Sequence, residues 1–141
     1  MIVILQCCGK KLDHPAPAVE LYQSDLFKKS LAWARTQVKD SRIYILSALY
    51  GLVPARKVIA PYNSVLKGSN AGAGEGVDII DPAAWSYRVA MELAALSKKD
   101  PDLVYLAGQS YLKYLPKGRA PWGVTKLPIG KRLAWLKAHT P

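Results

Sequence analysis

The hydrophobic pattern divides the chain into alternating strands and helices. Three short apolar runs are bounded by polar residues, which predicts strands that are buried on both faces. These runs are Met1–Cys7, Arg42–Ser47 and Asp102–Ala107. In the segments between them, apolar residues recur every three or four positions, as they do along the buried side of an amphipathic helix.

Local capping signals mark where the helices begin. Ser24 is a favourable N-cap for a helix that runs to about residue 39, and Asp81 precedes a helix that has Pro82 at its first position. Two shorter helices are predicted at Ser110–Leu115 and Gly130–Ala138. The glycine-rich stretch between Gly68 and Gly76 is predicted to be a flexible surface loop, and it could act as a lid.

This order of elements predicts a single α/β domain over residues 1–141, with a small parallel or mixed sheet flanked by helices. Half of the residues are apolar, which is sufficient for a buried core. No apolar run approaches the roughly 18–20 residues of a membrane span. The oligomeric state is left open.

The adjacent cysteines Cys7 and Cys8 are expected to be free thiols, and the opening residues do not read as an export signal. Together these features predict a cytoplasmic protein. Ligand-type side chains are too few at metal spacings to predict a metal site, and no cofactor is predicted.

The formal charge of +10 is unevenly distributed. After Asp102 there is no acidic residue, whereas seven basic residues follow it. Such a one-signed field favours a polyanion, and nucleic acid is the default partner, although a solvated basic surface is the alternative. The residues predicted to bind nucleic acid are Lys117, Arg119, Lys126, Lys131 and Arg132.

Polar or small residues follow each predicted strand, and the carboxyl ends of parallel strands meet at one edge of a sheet. We therefore expect one pocket at that edge. The residues at or just after the ends of the three strands are Cys7, Lys10 and Lys11 for the first, Ser47, Tyr50 and Gly51 for the second, and Gly108, Ser110 and Tyr111 for the third.

Within this pocket, Cys7, Lys10 and Ser47 are the predicted catalytic residues. Cys7 is a nucleophile if a nearby lysine lowers its pKa, and otherwise a buried thiol. Side chains alternate at a strand end, so only one of Lys10 and Lys11 faces the pocket, and Lys10 is favoured. Ser47 either contacts a ligand or caps the turn after its strand.

The remaining candidates are predicted to bind substrate. Asp13 either belongs to the site or pairs with a lysine, and His14 is either a general acid or base or a structural residue. Tyr50, Tyr62 and Tyr111 either stack on a base, donate a hydroxyl to the ligand, or are packing residues with a solvated tip.

Four motifs in order along the chain resemble the YaaA-like superfamily, in its branch of small bacterial and phage proteins. The first strand is followed by Cys7, Lys10, Lys11, Leu12, Asp13, His14, Pro15, Ala16, Pro17, Ala18, Glu20, Leu21 and Tyr22. The second motif is Leu46, Ser47, Tyr50, Gly51, Pro61 and Tyr62. The third is Leu106, Ala107, Gly108 and Tyr111, and the fourth is Gly130, Arg132, Leu133, Trp135 and Leu136.

The resemblance implies a nucleic-acid or nucleobase theme, because YaaA proteins are associated with DNA binding and with protection of DNA from oxidation. A related domain occurs in archaeal enzymes that build a modified guanine in transfer RNA. If this protein is an enzyme, the expected reaction is modification, transfer or excision of a nucleobase.

The predicted function is therefore binding of nucleic acid or a nucleotide. The alternative is a non-catalytic interaction module, such as a phage or defence protein that binds DNA or an acidic protein. A pocket that holds Lys10, Ser47 and Tyr111 together favours the enzyme. A filled pocket with an exposed basic face favours the module.

Overall fold

The computed structural model describes residues 1–68, 76–120 and 127–141. Its strands are β1 (Ile2–Gln6), β2 (Ala16–Pro17), β3 (Ile43–Ser47), β4 (Gly51–Pro54), β5 (Val58–Ile59), β6 (Ser64–Leu66), β7 (Asp78–Ile80) and β8 (Leu103–Leu106). Its helices are α1 (Ala18–Leu21), α2 (Asp25–Gln37), α3 (Pro82–Lys99), α4 (Gln109–Leu112) and α5 (Ile129–His139).

The central sheet has four strands in the order β4-β3-β1-β8. Strands β3 and β8 both pair with β1 in the parallel direction, and β4 pairs with β3 in the antiparallel direction. Strand β1 lies between two neighbours, and its residues Val3, Ile4 and Leu5 are fully buried. The prediction of a single α/β domain with a mixed sheet is confirmed.

Helices cover both faces of the sheet. The connection from β1 to β3 contains α2, and the connection from β3 to β8 contains α3. These crossovers run in opposite directions along the sheet, so their right-handedness places the two helices on opposite faces. Helix α5 packs beside α2, where the rings of Trp33 and Trp135 meet edge to face at 5.7 Å. Helix α3 buries Trp85, Val89 and Leu93.

The predicted caps are present. The Ser24 hydroxyl accepts a hydrogen bond from the Phe27 amide at 3.1 Å, and the Asp81 carboxylate accepts one from the Ala83 amide at 3.0 Å. The helix predicted at 110–115 is shorter, since only Gln109–Leu112 is helical. The hairpin strand β4 and the small strand pairs β2–β5 and β6–β7 were not predicted, because runs of two to four residues carry too little periodicity.

Of the glycine-rich stretch between Gly68 and Gly76, residues 69–75 lie outside the described part of the chain, and so does the prediction of a lid. Within the described ranges, no helix combines the length and the apolar character needed to cross a bilayer.

Candidate functional site at the carboxyl edge of the sheet

The three parallel strands bring the predicted site residues to one edge of the sheet. Cys7 follows β1, Ser47 ends β3 and Gly108 follows β8. The chain leaves β1 towards β3 on one side and later returns to β8 on the other, so the strand order reverses beside β1. Such a reversal at the carboxyl edge is where open α/β sheets bind their ligands.

A small cavity of about 40 Å³ lies at this reversal. It is lined by Gln6, Cys7, Cys8, Ser24, Leu26, Phe27, Ser30, Leu106, Ala107 and Arg132. These residues come from the ends of β1 and β8, the first turns of α2, and α5. The positive end of the α2 dipole therefore faces the cavity, together with the Arg132 guanidinium.

Gly108 allows the arginine to approach the end of β8. A Cβ atom at this position would lie 3.3 Å from Arg132 Nη1 and 3.3 Å from Gln6 Oε1. The Gly108 amide donates a hydrogen bond of 2.7 Å to the same Gln6 oxygen. Arg132 is half-buried, and burial lowers the pKa of its guanidinium. An anion at this point would offset the desolvation of the charged group.

Beside the cavity lies a group of polar side chains, which we call the hydroxyl cluster: the buried Cys7, Tyr22, Ser47 and Tyr111, and the partly buried Tyr62. The Ser47 hydroxyl donates to the Tyr62 hydroxyl at 2.7 Å, and the Tyr62 and Tyr22 hydroxyls lie 2.6 Å apart. Because its members contact one another, the cluster is a hydrogen-bond network within the protein.

Ser47 has a structural role in this network. Its hydroxyl accepts a hydrogen bond from the Tyr50 amide at 2.9 Å, which caps the turn after β3. Its carbonyl accepts one from Trp85 Nε1, also at 2.9 Å, which ties α3 to the sheet. The geometry therefore corresponds to the capping interpretation of Ser47.

Cys7 is a buried thiol in this structure. Its sulphur lies 3.3 Å from the Tyr111 hydroxyl. Burial raises the pKa of the thiol, and this effect outweighs the hydrogen bond from Tyr111 and the charge of Lys11, which both lower it. The condition for a nucleophilic Cys7, a pKa lowered by a neighbouring lysine, is not met.

Of the two lysines, Lys11 and not the favoured Lys10 lies against the hydroxyl cluster. The Lys10 side chain is exposed, whereas Lys11 is half-buried and its Nζ atom lies 4.3 Å from the centre of the Tyr62 ring. The reason is that Lys11 forms an antiparallel bridge with Tyr22. The direction of its side chain is therefore set by that bridge, and the alternation of side chains along β1 does not continue as far as Lys11.

The candidates beyond the strand ends are more exposed. His14 Nδ1 lies 2.9 Å from the Asp13 carboxylate, and both side chains are on the surface. Tyr50 is half-buried and its hydroxyl donates to a backbone carbonyl at 3.3 Å. Gly51 starts β4 with a φ of 75°, a conformation that favours glycine. Ser110 is half-buried in α4.

Two of the basic residues predicted to bind nucleic acid, Arg119 and Arg132, lie apart in the structure. Arg132 lines the cavity at the carboxyl edge, and Lys117 and Lys131 are exposed. Arg119 lies beside the opposite end of β8, where it pairs in two hydrogen bonds of 2.8 Å with Asp102. Arg119 therefore already has an acidic partner within the protein. Lys126 lies outside the described residues.

Several residues of the edge were not predicted as site residues, among them Gln6, Tyr22 and Ser24. Gln6 is a polar residue at the end of the otherwise apolar strand β1, and that position is a usable signal. Among the described residues, no three side chains of His, Cys, Asp or Glu converge on a point where they could hold a metal ion.

Fold and site define a small α/β protein whose polar and basic groups gather at the carboxyl edge of a mixed sheet. The chain belongs to a family of unknown function (DUF6884), which it matches over residues 2–138. None of the curated proteins matches this sequence. The resemblance to YaaA-like proteins stays a prediction.

Proposed function

We propose that the protein binds nucleic acid or a nucleotide, and that one phosphate group sits at the mouth of the cavity beside Arg132. The observation that carries the proposal is the half-buried Arg132 guanidinium in a cavity at the strand-order reversal. Arginine is suited to this role because its planar fork of donors matches the oxygens of a phosphate.

The other groups around the cavity favour an anion as well. None of the described residues that line it carries a carboxylate. The first turns of α2 direct the positive end of a helix dipole towards it. The net charge of +10 adds a general attraction for polyanions.

The size of the cavity limits what can enter. About 40 Å³ admits a few water molecules or one small group, and is far below the ~300 Å³ of a typical pocket that encloses a small-molecule ligand. The expectation of a pocket that encloses a base is therefore not met in this structure. Under our proposal, the sugar and base lie over the surface around the cavity.

The packing at the hydroxyl cluster favours binding over chemistry by these residues. Ser47 and Tyr111 are buried among other side chains, and Lys10 is exposed. An enzyme that used Lys10, Ser47 and Tyr111 would hold all three in one open pocket, so this arrangement favours a binding protein. The resemblance to YaaA-like proteins supports nucleic acid over an acidic protein as the partner.

The proposal is tested by fluorescence anisotropy with labelled single-stranded and duplex oligonucleotides. Arg132→Gln removes charge-assisted hydrogen bonds of about 1.5–3 kcal/mol, so we expect the Kd to rise roughly tenfold to a hundredfold. Arg119→Gln removes the same charge at the opposite end of β8 and should leave the Kd unchanged.

Competition separates the two classes of partner. Nucleoside triphosphate is expected to displace the oligonucleotide, and polyglutamate is expected to displace it poorly. Equal affinity of the two arginine variants, or displacement by polyglutamate alone, would refute the phosphate site.

A further inference from the structure

We propose that the phosphate which enters the cavity is a terminal phosphate, a phosphomonoester at the end of a nucleic acid or on a nucleoside monophosphate, and that Ser30 donates a hydrogen bond to it. The inference rests on the proposed function and names the form of phosphate that the same site takes. Its basis is the buried Ser30 hydroxyl, which lines the cavity and has no hydrogen-bond partner among the described residues.

The Ser30 hydroxyl differs from other serine hydroxyls in the helices of this protein. Ser30 lies in the second turn of α2 and is only 3% exposed. Within a helix, a serine hydroxyl can donate to a carbonyl of the preceding turn, and Ser86 and Ser97 of α3 do so at 3.1 and 2.9 Å. Ser30 forms no such bond within the described part of the chain. A buried hydroxyl without a partner is unfavourable, so this donor is available to an occupant of the cavity.

The lining of the cavity has a buried floor and a partly exposed rim. Phe27, Ser30 and Leu106 are among the buried residues, and they form the floor. Ser24 and Arg132 are partly exposed, and they belong to the rim. A group that passes the Arg132 guanidinium at the rim therefore reaches the Ser30 hydroxyl at the floor.

The size of the cavity suits a terminal phosphate better than a phosphodiester. A volume of about 40 Å³ holds about three water molecules, which the three terminal oxygens of a phosphomonoester can replace. A phosphodiester has carbon substituents on two of its oxygens, so both arms would have to leave through the rim. A phosphomonoester has one such arm, and its other oxygens can extend as far as Ser30.

The charge of the site also favours a terminal phosphate. Such a group carries roughly −1.5 to −2 at neutral pH, against a single negative charge for a phosphodiester. Ser24 and Leu26 bring the start of α2 to the rim, opposite Arg132, and the first two amides of a helix have no carbonyl partner within it. The Asp25 carboxylate of this turn pairs with Lys29 at 2.8 Å and does not line the cavity. The more highly charged group is therefore preferred.

Two small ligands test the form of the phosphate. A nucleoside 5′-monophosphate and the corresponding 3′,5′-cyclic monophosphate share the base, the sugar and one phosphate, but only the first has a terminal phosphate. We expect the 5′-monophosphate to bind roughly tenfold more tightly in isothermal titration calorimetry. A strand with a 5′- or a 3′-phosphate should likewise bind more tightly than the same strand with hydroxyl ends, and the two phosphorylated strands identify which end is read. Equal affinity for the two small ligands would overturn the proposal.

Ser30→Ala tests the donor itself. We expect it to weaken binding of the 5′-monophosphate roughly tenfold and to change binding of the cyclic form little. The melting temperature should not fall, because the hydroxyl has no partner in the protein to lose. Ser86→Ala is the matched control, since its hydroxyl lies outside the cavity and donates to the Ala83 carbonyl, and it should leave both affinities unchanged.

The outcomes for Ser30→Ala are decisive. An unchanged preference for the 5′-monophosphate would overturn the proposal. A lower melting temperature would also overturn it, because it would show that the hydroxyl is bonded within the protein.

The oligonucleotides separate this inference from the proposed function. Equal binding of phosphorylated and hydroxyl-ended strands, weakened for both in Arg132→Gln, would refute the terminal phosphate and leave the proposed function intact. Absence of binding to any strand or nucleotide would refute both. A preference for the 5′-monophosphate that Ser30→Ala abolishes, without binding of any strand, would support the inference and make the partner a free nucleotide.

Discussion

The Cys7 sulphur lies 3.3 Å from the Tyr111 hydroxyl, although 104 positions separate the two residues. This contact joins the end of the central strand to the segment that follows β8. It forms only when β1 and β8 are paired, so the hydroxyl cluster depends on the complete sheet.

Thiol reactivity should differ sharply between the two cysteines. Cys7 is buried with a raised pKa, whereas Cys8 is partly exposed. Because the thiolate is the reactive form, we expect one fast and one very slow thiol in the native protein with an aromatic disulfide reagent, and two fast thiols after denaturation. Cys8→Ser should remove the fast phase. Two fast thiols in the native protein would show that Cys7 is accessible.

Tyr62→Phe should destabilise the protein through the hydroxyl cluster. The substitution removes the group that accepts from the Ser47 hydroxyl and that pairs with the Tyr22 hydroxyl. Ser47 and Tyr22 are both buried. Groups left without partners cost about 1–3 kcal/mol in the free energy of unfolding, measured by urea denaturation. Tyr50→Phe is the matched control, because its half-exposed hydroxyl makes one long bond, and we expect a loss below about 0.5 kcal/mol.

Tyr105→Phe should stabilise the protein or leave it unchanged. The Tyr105 hydroxyl is buried and has no hydrogen-bond partner among the described residues. A buried hydroxyl without a partner costs about 1–3 kcal/mol in the free energy of unfolding, and its removal relieves that cost. The gain is smaller if a water molecule hydrogen-bonds to the hydroxyl. A loss of more than 1 kcal/mol in thermal or urea unfolding would show that the hydroxyl is bound after all.

Stability should fall in alkaline solution. Burial raises the pKa of Cys7 above its ordinary 9.0 and that of Tyr105 from 10.0 to about 12. Above pH 9 the unfolded chain therefore releases protons that the folded chain retains, so the free energy of unfolding decreases as the pH rises. Urea denaturation between pH 8 and pH 11 measures this slope. In Tyr105→Phe the slope above pH 10 should be shallower than in the wild type.

Two glycine substitutions should separate binding from folding. A Cβ at Gly108 would press on the guanidinium of Arg132, so Gly108→Ala should weaken oligonucleotide binding with a small loss of stability. A Cβ at Gly118 would lie 2.5 Å from the Tyr105 ring and 2.8 Å from the Leu103 carbonyl. We expect Gly118→Ala to cost about 1–3 kcal/mol, as overpacking does. Similar melting temperatures for the two variants would contradict this distinction.

The sequence predicted the elements whose signals are local. Strand β1 was recognisable because it is buried on both faces, and α2 and α3 because Ser24 and Asp81 cap them. The convergence of Cys7, Ser47 and Gly108 followed from the parallel sheet alone.

The features that depend on distant pairing could not be predicted. The choice between Lys10 and Lys11 was decided by the bridge to Tyr22, which no periodicity reports. Arg119 pairs with Asp102, which lies 17 positions earlier and across a strand edge. Charge counted along a sequence does not reveal such partners.

The central position of β1 has a consequence for synthesis of the protein. Ile2 pairs with Leu103, so one edge of this strand has no partner until the chain has grown by about a hundred residues. Contacts of such separation slow folding and prolong exposure of an apolar strand edge. We expect nascent chains that end before β8 to aggregate or to recruit chaperones, whereas chains that include β8 become resistant to protease.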